Sequence, residues 1–135
     1  MDKLKVLQAS LVVLAYKVKN YHWNFKGAGF FVWHKETDKL ASKLIELADD
    51  VAEKILMHEL PAIGNLKEVL ELSVIEEVST TWYRADDVSN TISADLDKII
   101  QLTKTVESTP TVQPLLDEIF LVTDKAKWQF SRWTK

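Results

Sequence analysis

Apolar side chains recur at three- and four-residue spacing from the start of the chain. Leu4, Leu7, Leu11, Ala15 and Val18 share one side of a 3.6-residue turn. They predict a first helix from about Lys3 to Lys26, with Asp2 as its N-cap. The stretch "KGAG", Lys26 to Gly29, ends it, because glycine adopts the left-handed turn that closes helices. A second helical pattern runs from about Phe30 to Glu59 and is closed by Pro61. A short helix is predicted over Asn65 to Leu72, a third long one from Thr80 to Glu107, where "STPT" breaks the period, and a fourth from Val112 to Trp133. No repeat, low-complexity stretch or linker interrupts residues 1–135, so the pattern reads as one all-α domain. Four long helices with a short one in the central connection predict a bundle with a crossover.

The second helix has three faces rather than two. With His34 at zero and about 100° per residue, Leu40, Leu44, Leu47, Val51 and Ile55 fall at roughly 220° to 300°, a core-facing stripe. Lys39, Lys43, Glu46, Asp50 and Lys54 fall at roughly 120° to 200° and form a solvated face. The third sector holds His34, Asp38, Asp49 and Glu53, with Ala41, Ile45, Ala48 and Ala52 on or beside it. His34 with Asp38, and Asp49 with Glu53, are i,i+4 pairs whose side chains stand above one another and converge on one ion. The pair centres lie about 22 Å apart along one helix, so a single helix cannot bring both to one metal. Two copies running antiparallel across a two-fold axis can, and the small side chains Ala41, Ser42, Ala48 and Ala52 permit the approach. Such a contact builds the site twice. On the first helix, His22 continues the stripe of Leu4, Leu7, Leu11, Ala15 and Val18, and so faces a neighbouring helix.

Composition narrows the chemistry. The 135 residues are 47% hydrophobic and 27% charged, with three glycines and three prolines, as a helical globular chain requires. There is no cysteine, which excludes disulfides and soft-metal thiolate sites and fits a reducing, cytoplasmic setting. The N-terminus lacks the long apolar core and cleavage site of a signal peptide, and no apolar run reaches membrane-spanning length. A net charge of -3 argues against a dedicated nucleic-acid protein. Imidazole together with carboxylates suits Fe(II), Mn(II) or Zn(II), and a carboxylate-rich site with room for water suits iron chemistry better than a closed structural zinc site.

The blocks "HWNFKGAGFFVWH" followed by "KETD", "ADDVAEKI" and "LPAIGNLKEVLELS" resemble the Dps-type miniferritins, and the likeness spans nearly the whole chain. The resemblance implies a ferritin-like four-helix bundle that assembles as a homo-oligomer, a hollow dodecamer. It also implies ferroxidase activity that oxidises Fe(II), preferably with hydrogen peroxide, and stores the ferric product, protecting against oxidative stress. Matched to the family's pattern, His22, His34 and Asp38 of one subunit and Asp49 and Glu53 of its two-fold partner form the di-iron site. Glu-x-x-His motifs of larger ferritins are absent, since no Glu stands three residues before His22, His34 or His58.

Some features depart from that pattern. "MDKLK" is too short for a Lys-rich DNA-binding tail, and the four basic residues of "KAKWQFSRWTK" fall on the last helix, where cations favour a C-terminus. Weak or absent DNA binding is therefore expected. Asp117 and Asp124, i,i+7 on the fourth helix, are the candidates for an iron-entry pore, although "TPTVQPLLDEI" matches the family poorly and Pro114 can shift the register. His58 stands where relatives carry glycine and reads as a surface residue. Trp23 and Trp33 flank the histidines and are placed to intercept stray oxidising equivalents. The competing readings are a non-catalytic DNA-compacting shell and a bundle whose acidic face binds a partner.

Overall fold

A computed structural model describes residues 1–134 of the chain; Lys135, the end of the expected domain and the last of the C-terminal basic residues, lies outside the described residues. Five helices follow in order: α1 (Asp2–Asn24), α2 (Phe30–Met57), α3 (Leu66–Leu72), α4 (Ala85–Lys104) and α5 (Gln113–Ser131). The described residues contain no strand, only an isolated parallel bridge between Phe25 and Tyr83. The long helices form two hairpins, α1 with α2 and α4 with α5; α1 also packs on α3 and α4, and α2 meets α5 lightly. The expected bundle with a short helix in its crossover is the observed one.

Each buried face has the predicted spacing. Leu40, Leu44, Leu47, Val51 and Ile55 of α2 are all buried, as are Leu4, Leu7, Leu11, Ala15 and Val18 of α1. On α5 the buried set is Leu116, Ile119, Thr123, Ala126 and Phe130. Pro114 sits in the first turn of α5, where its missing N–H has no helical partner to lose, so it starts the helix without disturbing its register. Several polar groups inside the bundle are matched, whereas the buried Ser93 Oγ has no hydrogen-bond partner among the described residues. Lys17 on α1 meets Asp95 on α4 at 2.7 Å, with both side chains about 95% buried. Tyr21, 1% exposed, packs edge-on against Tyr83 at 4.9 Å, and burial pushes its phenol up to about 12.

Boundaries moved where backbone pairing outweighs helix propensity. The first helix ends at Asn24 rather than Lys26, and α4 begins at Ala85 rather than Thr80. Lys26 N–H donates to the Tyr83 carbonyl (2.8 Å) and Tyr83 N–H to the Asn24 carbonyl (2.9 Å). These bonds hold the two segments extended, and Asn20 adds a side-chain bond to Ser79 O (3.2 Å). At their far ends the third and fourth long helices stop at Lys104 and Ser131, short of Glu107 and Trp133. The crossover is pinned onto α1 at two points. Gln8 exchanges bonds with the backbone of Ile63 (3.0 and 3.1 Å), and Ser10 Oγ accepts from Val74 N–H (3.0 Å). Asn65 caps α3 by accepting from Glu68 N–H (2.9 Å). No helix of the described residues is long and apolar enough to cross a membrane.

Candidate metal centre

The α1–α2 turn brings the two histidines face to face. Gly27 and Gly29 adopt positive φ (103° and 81°), which reverses the chain within five residues. A Cβ on Gly29 would lie 2.9 Å from Cδ1 of Trp33, so that position needs glycine for space as well as conformation. The imidazoles of His22 and His34 then stack with centroids 3.8 Å apart and planes 16° from parallel. Phe30 stacks on His34 at 5.0 Å, and Thr37, fully buried, donates to the Trp33 carbonyl (2.6 Å) to fix the first turns of α2.

The hydrogen bonds of the pair determine its chemistry. His22 Nδ1 lies 2.5 Å from the His34 carbonyl, and His34 Nδ1 lies 2.7 Å from the His22 carbonyl. A carbonyl oxygen only accepts, so each Nδ1 carries the hydrogen and donates it. In the neutral ring each Nε2 is thereby left with a lone pair suited to a metal ion. Backbone carbonyls are common partners for the distal N–H of a ligating histidine. His22 Nε2 stands 4.0 Å from Asp38 Oδ1. The same carboxylate accepts from Lys19 Nζ (2.5 Å), and this ammonium, with the two histidines nearby, holds the Asp38 carboxyl below its ordinary value. Lys19 was not among the sequence candidates. The signal was its place three residues before His22 on the same helix, where i,i+3 side chains are neighbours.

Asp49 and Glu53 are not brought to the histidines. They form a separate exposed group with Asp50, whose ligand-type oxygens lie within 4.8 Å of one another. Asp50, assigned from helical phase to the solvated face, joins this group. The 11 residues from Asp38 to Asp49 span about 16 Å of helix. Along that span Ala41 and Ala48 are buried against the chain's own core, whereas Ser42 and Ile45 are exposed. Ile45 stands beside a shallow groove of about 210 Å³ formed with Val12, Ala15 and Tyr16.

The remaining candidates separate. Trp33 is a core residue, 9% exposed, while Trp23 is 53% exposed and packs edge-on against Tyr16 at 5.8 Å. His58 is exposed and its Nδ1 lies 2.9 Å from the Lys54 carbonyl. Asp117 and Asp124 line one open groove with Lys104, Lys125 and Trp128. Of the C-terminal basic residues, Lys127 pairs with Asp97 (2.9 Å) and Arg132 lies over the Trp128 ring (5.9 Å).

Comparison with known proteins agrees with this fold. A family model described as a ferritin-like domain matches residues 1–135. The DNA protection during starvation protein of Helicobacter pylori is 36% identical over 92 residues, covering 68% of this chain and 64% of that protein. The protein of that name from Listeria innocua is 37% identical over 73 residues, 54% of this chain and 47% of its own. The chain thus spans between about half and just under two thirds of the length of the curated relatives it matches. Among solved structures, Helicobacter cinaedi CAIP superposes with a TM-score of 0.88 at 27% identity, covering 98% of this chain and 97% of that one. Dps from Listeria monocytogenes gives 0.81 at 28% identity, covering 98% and 90%. The chain belongs to the ferritin-like family, and its relatives in both sequence and fold include Dps proteins.

Proposed function

We propose that this protein is a ferroxidase and iron-storage protein whose oxidation site is shared between two subunits. His22, His34 and Asp38 of one chain bind Fe(II) together with Asp49 and Glu53 of a second chain. The observation that carries this reading is the reciprocal Nδ1–carbonyl locking of the histidine pair, which leaves both Nε2 atoms free in the neutral rings, that of His22 lying 4.0 Å from Asp38 Oδ1. A structural pair needs no such pair of vacant lone pairs, whereas a metal-binding pair does. The donor set of imidazole and carboxylate suits iron, manganese or zinc.

A two-fold partner supplies what one chain lacks. The distance between the two ligand groups on α2 makes an antiparallel copy the simplest way to close the site, and Ile45 beside the Val12–Tyr16 groove offers an apolar seat for it. The anionic ligands favour the more highly charged Fe(III), so they drive the oxidation of the substrate ion. Two Fe(II) held together deliver two electrons to one hydrogen peroxide and release water rather than a radical. We place these sites in a dodecameric cage that stores the ferric product, protects the cell from iron and peroxide together, and works in the cytoplasm. Because two of the C-terminal cations are engaged within the chain, DNA is held weakly or not at all.

Complementation tests the shared site. One variant carries His34→Ala and Asp38→Ala, the other Asp49→Ala and Glu53→Ala; each alone should lose rapid Fe(II) oxidation. Co-refolded in equal amounts, they should regain roughly a quarter of wild-type activity, because half of random pairs are mixed and each mixed pair has one intact site. No recovery, with mixed dimers demonstrated by mass spectrometry, places the site within a single chain and ends the proposal.

A further inference from the structure

Aromatic rings lead away from the histidine pair in one continuous series. His34 stacks on Phe30 (5.0 Å), Phe30 meets Phe25 (6.5 Å), and Phe25 stacks on Trp33 at 5.6 Å with planes 14° apart. Trp33 in turn meets Trp133 edge-on at 5.8 Å. From the half-buried His34 and the exposed Phe30 the series passes through the core at Phe25 and Trp33, 2% and 9% exposed, and ends at the surface at Trp133, 51% exposed. At its outer end Trp133 Nε1–H donates to Asp86 Oδ1 at 2.6 Å.

Two features go beyond core filling. Packing requires aromatic bulk at position 33, but it does not require an exposed indole whose N–H is engaged by a carboxylate from another helix. An indole that loses an electron becomes a strong N–H acid, and a hydrogen-bonded carboxylate is the acceptor that takes the proton. The chain also contains no cysteine, so its indoles and phenols are its readiest one-electron donors. A second exposed pair, Tyr16 with Trp23, has no carboxylate bonded to its indole nitrogen among the described residues.

We propose that Trp33 and Trp133 form a one-electron relay that carries oxidising equivalents from the histidine pair to the surface, with Asp86 as the proton acceptor. The proposal rests on the iron-oxidising reading. When a single Fe(II) meets hydrogen peroxide, the products are Fe(III), hydroxide and a hydroxyl radical. The radical gains one electron and one proton and becomes water. Trp33 gives that electron and recovers one from Trp133, whose Nε1 proton passes to Asp86. Loss of a second electron by the same route, with capture of water and release of a proton, leaves Trp133 heavier by one oxygen atom.

The test is peptide mass mapping after substoichiometric Fe(II) and hydrogen peroxide are added to the assembled protein. Oxygen addition should concentrate at Trp133. It should fall severalfold there in Trp33→Phe and in Asp86→Asn, and in Trp133→Phe it should shift to Trp33. Equal Trp133 oxidation with and without Trp33 means attack from solvent and overturns the relay.

A second arm needs no iron. Lys35→Cys gives the chain a unique thiol on an exposed residue beside His34, to which a ruthenium photo-oxidant is attached. A flash should produce an indole radical that is diminished by Trp133→Phe and nearly lost when Trp33→Phe is added. If Fe(II) is never oxidised but the flash radical depends on both indoles, the relay stands and the iron reading fails. If Fe(II) is oxidised and the flash radical ignores both, the relay alone fails.

Discussion

The two ends of α2 carry ligand-type side chains in opposite conditions. At the N-terminal end His34 is stacked, hydrogen-bonded to the backbone of α1 and backed by Phe30. Asp38 beside it is already held by Lys19. Toward the C-terminal end, Asp49, Asp50 and Glu53 point outward with their oxygens within 4.8 Å of one another, and their like charges repel until a cation or a basic group arrives. The histidine end is set by folding of the single chain; the acidic end has no reason of its own to hold one geometry. In a site assembled from both, the histidines supply precision and the carboxylates supply charge. Disturbing the first should cost structure as well as activity, and disturbing the second should cost activity alone.

The largest effect tests that division directly. Asp49→Ala with Glu53→Ala should slow Fe(II) oxidation by at least ~100-fold, more than changes to groups that only support a metal ligand. Its stability in urea should stay within about 0.5 kcal/mol of wild type, as for surface changes in general. His34→Ala should show a comparable loss of oxidation and in addition lose about 1–3 kcal/mol, because the buried His22 carbonyl is left without its donor. Equal stability losses at both ends would mean that the acidic group is also structural, and the comparison would fail.

These differences also explain what was legible in the sequence. The core stripe of α2 was readable because five apolar residues from Leu40 to Ile55 obey one period, and the same holds for α1 up to His22. Local rules could not anticipate the Phe25–Tyr83 bridge, which joins residues far apart in sequence and shortens two helices. His22, His34 and Asp38 were proposed as ligands because helical phase and motif agreed, and the structure brings the three near one another. Their mutual carbonyl bonds were not readable, since they depend on how two helices meet across the glycine turn. Lys19 was not among the candidates, and Asp50 was assigned to the solvated face by phase alone. Trp133 drew no notice, because its partners Trp33 and Asp86 lie far away in the chain.

A medium effect sharpens the claim that the turn sets the histidine end. Gly29→Ala puts a Cβ against Trp33 and forces a non-glycine residue to φ 81°. A loss of about 1–3 kcal/mol is expected, the usual strain of a residue held in a sparsely populated backbone region. Because the same turn aligns the imidazoles, Fe(II) oxidation should fall with it. The acidic group, which begins at the twentieth of the 28 residues of α2, should keep its affinity for a divalent cation such as Mn(II), measured by calorimetry. A variant that loses stability but oxidises Fe(II) at the wild-type rate would show that the histidines are aligned by their own bonds and not by the turn.

The smallest effect concerns Lys19. Its ammonium is the main reason the Asp38 carboxyl titrates below its ordinary value. An acid depressed in the folded state contributes stability that is complete above its unfolded pKa and disappears as pH falls through the folded value. The contribution of this pair is therefore present at neutral pH and lost only below the normal carboxylate range. Half-exposed, as Asp38 is, the pair is weak, so the readout is titration rather than melting. Lys19→Met should move the Asp38 carboxyl upward in a pH series followed by NMR of 13C-labelled aspartate. The same substitution removes the cation that Fe(II) has to displace from Asp38, so Fe(II) should bind the histidine end more tightly at neutral pH. If the Asp38 signal does not move, Lys19 is not its partner in solution, and the contrast between a partnered and an unpartnered end of α2 narrows to the histidines alone.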